Sequence, residues 1–145
     1  MAILEFAFIF IIGAMGYGSI ETLWRGHTHW TMLLLGGLCL YFIYLVANRM
    51  KEKALKKAIL CACIITTLEF LAGCIVNLNL GWEIWDYSNM KYNLLGQICP
   101  VFSMMWLLLS IPCIHFCRLI DKYIFSEISP CRNAPAFGKH SRNYP

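Results

Sequence analysis

An acidic residue lies in the middle of a long apolar stretch of this sequence. Glu69 falls within a run of about 23 residues, Ala58–Leu80, which is long enough to cross a bilayer as a helix. A carboxylate at that depth is costly unless it is paired, protonated or in contact with water, so a helix that left it against lipid would be disfavoured. We therefore expect Glu69 to point toward protein.

Small and polar residues recur with Glu69 at helical spacing. Thr66, Glu69, Gly73 and Asn77 follow one another at steps of three, four and four, which places them on one face of a helix. The segment 81–88 comes next, and its alternation of aromatic and acidic residues is typical of a membrane–water interface. This helix face and this segment together are the best candidate for a site.

The elements that must position these residues are transmembrane helices. Of the 145 residues, 59% are apolar and only 14% are charged, whereas a soluble domain carries about 25% charged residues. Four apolar runs approach the roughly 20 residues that a spanning helix needs, and none alternates as a barrel strand does. The expected fold class is an all-α polytopic membrane protein with spans at about 2–20, 30–47, 58–80 and 95–117.

The chain divides into a membrane domain and a tail. We assign residues 1–125 to a four-helix transmembrane domain. Its first run is expected to remain as a span, because the N-terminal residues carry Glu5 and no Lys or Arg, unlike a secretory signal. Residues 126–145 are polar and hold three of the five prolines, so we expect a disordered cytoplasmic tail there.

Basic residues are distributed unevenly between the two sides of the membrane. Ten of the twelve Lys and Arg residues lie in the loop 48–57 or beyond residue 117, and only Arg25 and Lys91 lie on the opposite side. The positive-inside rule then places both termini in the cytoplasm and the loops 21–29 and 81–94 outside. The basic surface favours contact with membrane lipids, and nothing indicates binding to nucleic acid.

Residues of the two outer loops complete the candidate polar site between spans one, three and four. Glu21 and Arg25 are four residues apart, so they pair if the first helix continues that far. Arg25 is also the expected basic partner of Glu69, or a contact for an anionic substrate. The predicted polar site consists of Glu69, Arg25, Glu21, Asp86, Tyr87, Asn93, Asn77 and Thr66.

Two groups of residues have side chains that can bind metals. His27 and His29 could hold a divalent ion together with an outer-loop carboxylate, and Cys113 and Cys117 share a helix face. The alternatives are polar interfacial residues for the histidines and small apolar packing for the cysteines. No spacing fixes a ligand set, so we predict no metal and no cofactor.

Several short motifs occur in a fixed order along the chain. They are Gly16-Tyr17, Glu21-x-x-Trp24-Arg25-Gly26, Glu69-x-x-x-Gly73, Trp85-Asp86-Tyr87-Ser88 and Asn93-x-x-Gly96-Gln97-Ile98. This pattern resembles the ABC-transporter type IV (CmpB-like) family of small bacterial integral membrane proteins. The resemblance implies a helical protein of the bacterial cytoplasmic membrane that is classed as a permease. It implies no particular ligand-binding or catalytic residue.

Two functions fit these observations. The first is a permease-like or transport-associated membrane protein whose buried polar site around Glu69 opens to the outer side. The alternative is a non-transport membrane subunit, sensor or assembly factor whose polar network is structural, since polar groups inside membranes bond across helices in any case. An enzyme is not expected, because no nucleophile and base can be placed together and no HExxH motif occurs.

The small size of the chain indicates that it works together with other subunits. Four spans are few for a complete transporter, so we expect a homo-oligomer or a larger membrane complex. The sequence has no GxxxxGK[ST] phosphate-binding loop, so any ATPase would be a separate subunit.

Overall fold

The structure, a computed structural model, describes residues 2–125, which form four long helices. Two of the helices end in a π-helical segment, where the backbone hydrogen bonds span five residues rather than four. The bounds are α1 Ala2–Arg25, α2 Trp30–Arg49, α3 Ala54–Gly73 with the π-helical segment Cys74–Asn79, and α4 Pro100–Ile120 with the π-helical segment Asp121–Phe125. The tail expected at 126–145 lies outside the described residues.

All four helices are long and apolar enough to cross a membrane. The candidate spans contain 20 to 26 residues each, which at 1.5 Å per residue covers the hydrocarbon thickness of a bilayer. This confirms the expected fold class, an all-α polytopic membrane protein.

Several helix bounds differ from the expected ones, and two of the differences have a clear cause in the backbone. The first helix does not end near residue 20 but continues to Arg25, and Gly26, with φ of 77°, ends it. The last helix begins at Pro100 instead of near residue 95, because Leu95 and Gly96 have φ of 53° and 69°, which a right-handed helix excludes. Proline suits the first helical position, where its missing N–H would be unpaired anyway.

The helices alternate in direction, so the bundle has two different ends. The loop end carries residues 26–29 and 80–99, and the basic end carries residues 50–53, the start of α1 and the end of α4. A large apolar core fills the basic half of the bundle. There the Phe8 and Phe125 rings lie 5.7 Å apart, and the Tyr44 hydroxyl donates to Asp121 Oδ1 at 2.6 Å. The ends of α1, α2 and α4 are thereby tied together at the basic end.

Glycines allow α1 and α2 to approach closely. A Cβ added at Gly13 would lie 2.6 Å from the Leu40 Cβ and 2.7 Å from the Gly36 carbonyl oxygen. Both distances are shorter than van der Waals contact, so any larger residue at Gly13 must push the two helices apart. Inside lipid the hydrophobic effect does not drive helices together, so close packing of this kind contributes to their association.

We predict that Gly13→Val destabilises the bundle by about 1–3 kcal/mol, because the side chain would overlap the α2 backbone. Gly16→Val is the matched control, since a Cβ at Gly16 meets no atom within 4 Å and the helix propensity of valine is the same at both positions. The measurement is the unfolding midpoint of each purified variant under titration with a denaturing detergent. Equal midpoints for the two variants would contradict the close α1–α2 contact.

Candidate functional site

Glu69 lies inside the bundle and is bonded by two other elements. Its side chain is 3% exposed. Its Oε1 accepts a hydrogen bond from the Tyr87 hydroxyl at 3.1 Å, and its Oε2 accepts one from the Trp106 indole N–H at 2.8 Å. One carboxylate on α3 therefore joins the 80–99 loop to α4.

The Tyr87 side chain is held in place to make this bond. Its ring stacks on Phe102 of α4 with centroids 4.5 Å apart and an angle of 19° between the planes. Burial, and then the nearby Glu69 carboxylate, raise the pKa of Tyr87 above its usual value. The hydroxyl thus keeps its proton and remains a donor toward Glu69.

The other members of the polar helix face contact protein as well. The Thr66 hydroxyl donates to Ser103 Oγ on α4 at 3.2 Å. Gly73 leaves room for Gln97, since a Cβ on this glycine would lie 2.5 Å from the Gln97 Oε1. Asn77 follows in the π-helical segment and is also buried. The face predicted from the spacing therefore carries contacts to α4 and to the loop along its length.

Asn77 fastens the 80–99 loop to the end of α3. Its side-chain amide donates to the Trp85 carbonyl at 2.9 Å and to the Gln97 Oε1 at 2.8 Å, and its own oxygen accepts from the Ile84 N–H at 2.8 Å. The Trp85 indole in turn donates to the Gln97 carbonyl at 3.0 Å. Buried amide groups are satisfied in this way by one another, which fixes the loop against the helix.

Asp86 and Asn93 shape the rest of the loop. Asp86 Oδ1 accepts from both the N–H and the hydroxyl of Ser88. Asn93 donates to the carbonyls of Ser88 and Met90, at 3.1 and 2.8 Å, and accepts from the Gly96 N–H at 2.9 Å. Short polar side chains commonly stabilise turns through such bonds. The two bonds from Ser88 lower the pKa of Asp86, so its exposed carboxyl group stays ionised at neutral pH.

Arg25 pairs with Glu21 instead of Glu69, which corrects one expectation from the sequence. Glu21 is 6% exposed, and its Oε1 accepts from Arg25 Nη1 at 2.9 Å, while Thr28 donates to its other oxygen. Arg25 Nη2 also donates to the Ile84 carbonyl at 2.6 Å. Because α1 continues to Arg25, the two charges lie one helical turn apart and pair locally. The guanidinium thus links α1 to the 80–99 loop.

Two adjoining cavities are each lined by residues of α1, α2 and α4. The vestibule, at the loop end, has a volume of about 650 Å³, and the slot, deeper in the bundle, has a volume of about 270 Å³. They share four lining residues, Tyr17, Ile20, Trp106 and Leu109. Glu69 lines the slot. Glu69 therefore borders a cavity that shares part of its wall with the one at the loop end.

The structure divides the predicted site residues into two groups. One group surrounds the cavities and consists of Glu69, Tyr87, Asp86, Glu21 and Arg25. The other group lines neither cavity and consists of Thr66, Asn77 and Asn93. The hydrogen bonds of the second group hold helices and loop together, so we assign them a supporting role.

Three residues of the polar network are not among the site residues predicted from the sequence, namely Trp106, Trp85 and Gln97. A tryptophan within an apolar span needs an acceptor for its indole N–H, and Glu69 is the acidic residue of the neighbouring span. That signal could have indicated Trp106. Gln97 falls within the span expected at 95–117, so the sequence does not indicate its role in the loop.

The histidines and cysteines considered as metal ligands do not cluster. His29 caps α2, accepting from the Thr31 N–H at 3.4 Å, and its ring lies 5.5 Å from those of Trp30 and Trp82. Among the residues 2–125, no three His, Cys, Asp or Glu side chains are grouped so that they could hold a metal ion. The described residues therefore give no support for a metal site at the two histidines or at the cysteines.

The fold and the buried polar network define an integral membrane protein with four transmembrane helices. Residues 6–134 match the model of the family described as "Putative ABC-transporter type IV", and the chain belongs to this family. The match confirms the resemblance found in the sequence motifs. No curated protein and no solved structure matches the chain.

We predict that Asn77→Ala releases the 80–99 loop, because it leaves the buried partners at Trp85 and Gln97 without their bonds, and that it costs about 1–3 kcal/mol of stability. The measurements are the unfolding midpoint and the hydrogen exchange of the loop amides in lipid nanodiscs. Asn79→Ala, at an exposed position two residues further on, is the matched control. Unchanged exchange in the Asn77 variant would mean that the loop is held by other contacts.

Proposed function

We propose that this chain is a permease-like subunit of a membrane transport system, with its binding site around Glu69. The observation that supports the proposal most directly is the position of this carboxylate, buried within a spanning helix at the wall of a cavity that adjoins one at the loop end. Ionisable groups inside membranes are costly and usually serve substrate or ion pathways. The family description agrees with a role in transport.

We further propose that the loop end faces the outside of a bacterial cytoplasmic membrane. The support is the concentration of Lys and Arg residues at the basic end and in the tail. In this orientation the vestibule takes solutes from the outer side, and both chain termini lie in the cytoplasm.

The proposed transport would need further subunits, both to supply energy and to form the complete assembly. Because the sequence contains no phosphate-binding loop, ATP hydrolysis would be the task of a separate ATPase subunit. Many apolar side chains of α1 and α4 are exposed, which suits contact with lipid or with further membrane subunits. We therefore propose that the chain acts as a homo-oligomer or within a larger membrane complex, without enzymatic activity of its own.

One observation favours the alternative of a non-transport membrane subunit. Both Glu69 oxygens accept hydrogen bonds from protein donors, Tyr87 and Trp106, so the carboxylate has a structural use even without a ligand. A network that only fixes helix packing would look the same. The effect of substitution at Glu69 on transport, measured separately from stability, distinguishes the two functions.

We predict that Glu69→Gln inserts and folds but takes up solute roughly tenfold more slowly, because an amide cannot carry the charge of the carboxylate. Proteoliposomes that contain the chain, with any ATPase subunit that copurifies, would be incubated in a filtered cell extract, and retained solutes would be identified by mass spectrometry. Glu83→Gln, at an exposed loop acid outside both cavities, is the control and should keep full uptake.

Two results would count against this proposal. Full uptake by both Glu69→Gln and Glu69→Leu would remove Glu69 from the transport pathway. Absence of uptake by every sample, together with stable copurification of a partner protein, would favour the non-transport subunit.

A further inference from the structure

The vestibule, which lies at the loop end, has a largely aromatic and apolar lining. Six of its fourteen lining residues are aromatic and two are methionines. The aromatic residues are Tyr17, Trp24, Trp85, Tyr87, Phe102 and Trp106. Aromatic ring faces attract cations, and methionine side chains adapt to ligands of irregular shape. The lining therefore suits an apolar ligand that carries positive charge.

The charged side chains around the cavities favour the same sign of ligand. In the vestibule, Arg25 is neutralised by Glu21 at 2.9 Å, while Asp86 is exposed and forms no ion pair with any residue from 2 to 125. Glu69 is a further acid in the adjoining slot. An anion would meet Asp86, and Arg25, which among residues 2–125 is the only arginine that lines either cavity, is already paired.

The position of the vestibule indicates how a ligand would reach it. Its edge is formed by Leu23 and Trp24, whose side chains are 88% and 81% exposed at the end of α1. Exposed apolar and aromatic side chains at this depth contact the headgroup region of a bilayer. Amphipathic molecules that concentrate in this region would enter from the side, between α1 and α4.

We propose that the vestibule binds lipophilic organic cations, with the positive centre between the Asp86 carboxylate and the aromatic rings. The molecules of this class would be the substrates of the permease proposed above, and in that respect the inference rests on the proposed function. Binding itself does not require transport, so the two can be tested separately.

The test uses tetraphenylphosphonium, a permanent lipophilic cation, and tetraphenylborate, an anion of closely similar size and shape. Binding of each radiolabelled ion to the full chain in lipid nanodiscs would be measured by equilibrium dialysis, with empty nanodiscs subtracted. We expect saturable binding of tetraphenylphosphonium and none of tetraphenylborate above the lipid background. Equal binding of the two ions, or no saturable binding of the cation, would overturn the proposal.

Two variants locate the bound cation. Asp86→Asn removes the charge but keeps an acceptor for Ser88, and Trp24→Ala removes an exposed ring; each should weaken tetraphenylphosphonium binding about fivefold. Trp30→Ala is the matched control, because Trp30 is 56% exposed at the same end but does not line the vestibule. Loss of affinity in the Trp30 variant equal to that in the Trp24 variant would show that binding is not in the vestibule.

The outcomes separate this inference from the proposed function. Specific tetraphenylphosphonium binding without uptake of any solute would support the ligand class and count against the permease. Uptake of other solutes that depends on Glu69, without tetraphenylphosphonium binding, would support the permease and overturn the ligand class.

Discussion

The structure depends on the need to supply hydrogen-bond donors to a carboxylate at the depth of the bilayer. Water is scarce there, so an unpaired carboxylate would be strongly disfavoured. Glu69 obtains its donors from Tyr87 in the loop and Trp106 on α4, both distant in sequence. The same two bonds that make the acid tolerable therefore fix the 80–99 loop and α4 relative to α3.

The 80–99 loop can serve this purpose because its own polar groups are satisfied internally. Asn77 and Gln97 bond its backbone and the Trp85 indole at the helix end, and Asn93 closes the turns beyond. Residues that the sequence indicates as candidate site residues therefore have different roles in the structure. Asn93 is used to fold the loop, whereas Asp86 makes a local bond and still presents its charge at the vestibule.

The sequence predicted the parts of this arrangement that depend on local composition. Long apolar runs indicated four spans, and the spacing of Thr66, Glu69, Gly73 and Asn77 indicated their common face. It did not predict which donors Glu69 would meet. That depends on how α4 is rotated toward α3, which is determined by packing across the bundle and by the start of α4 at Pro100. The local pairing of Arg25 with Glu21 follows from their helical spacing, on the condition, met in the structure, that the first helix continues to Arg25.

The contrast between the two ends of the bundle bears on how a transport subunit of this shape would work. At the basic end the Phe8 and Phe125 rings and the Tyr44–Asp121 bond hold α1, α2 and α4 together, whereas at the loop end the vestibule is lined by α1, α4 and the 80–99 loop. The described bundle therefore has the vestibule at the loop end and a packed apolar core at the basic end. Release at the other end would require α1 to move relative to α4. Because α1 packs along α2 through glycines and leaves much of its apolar surface exposed, a neighbouring subunit that contacts this surface could drive such a movement.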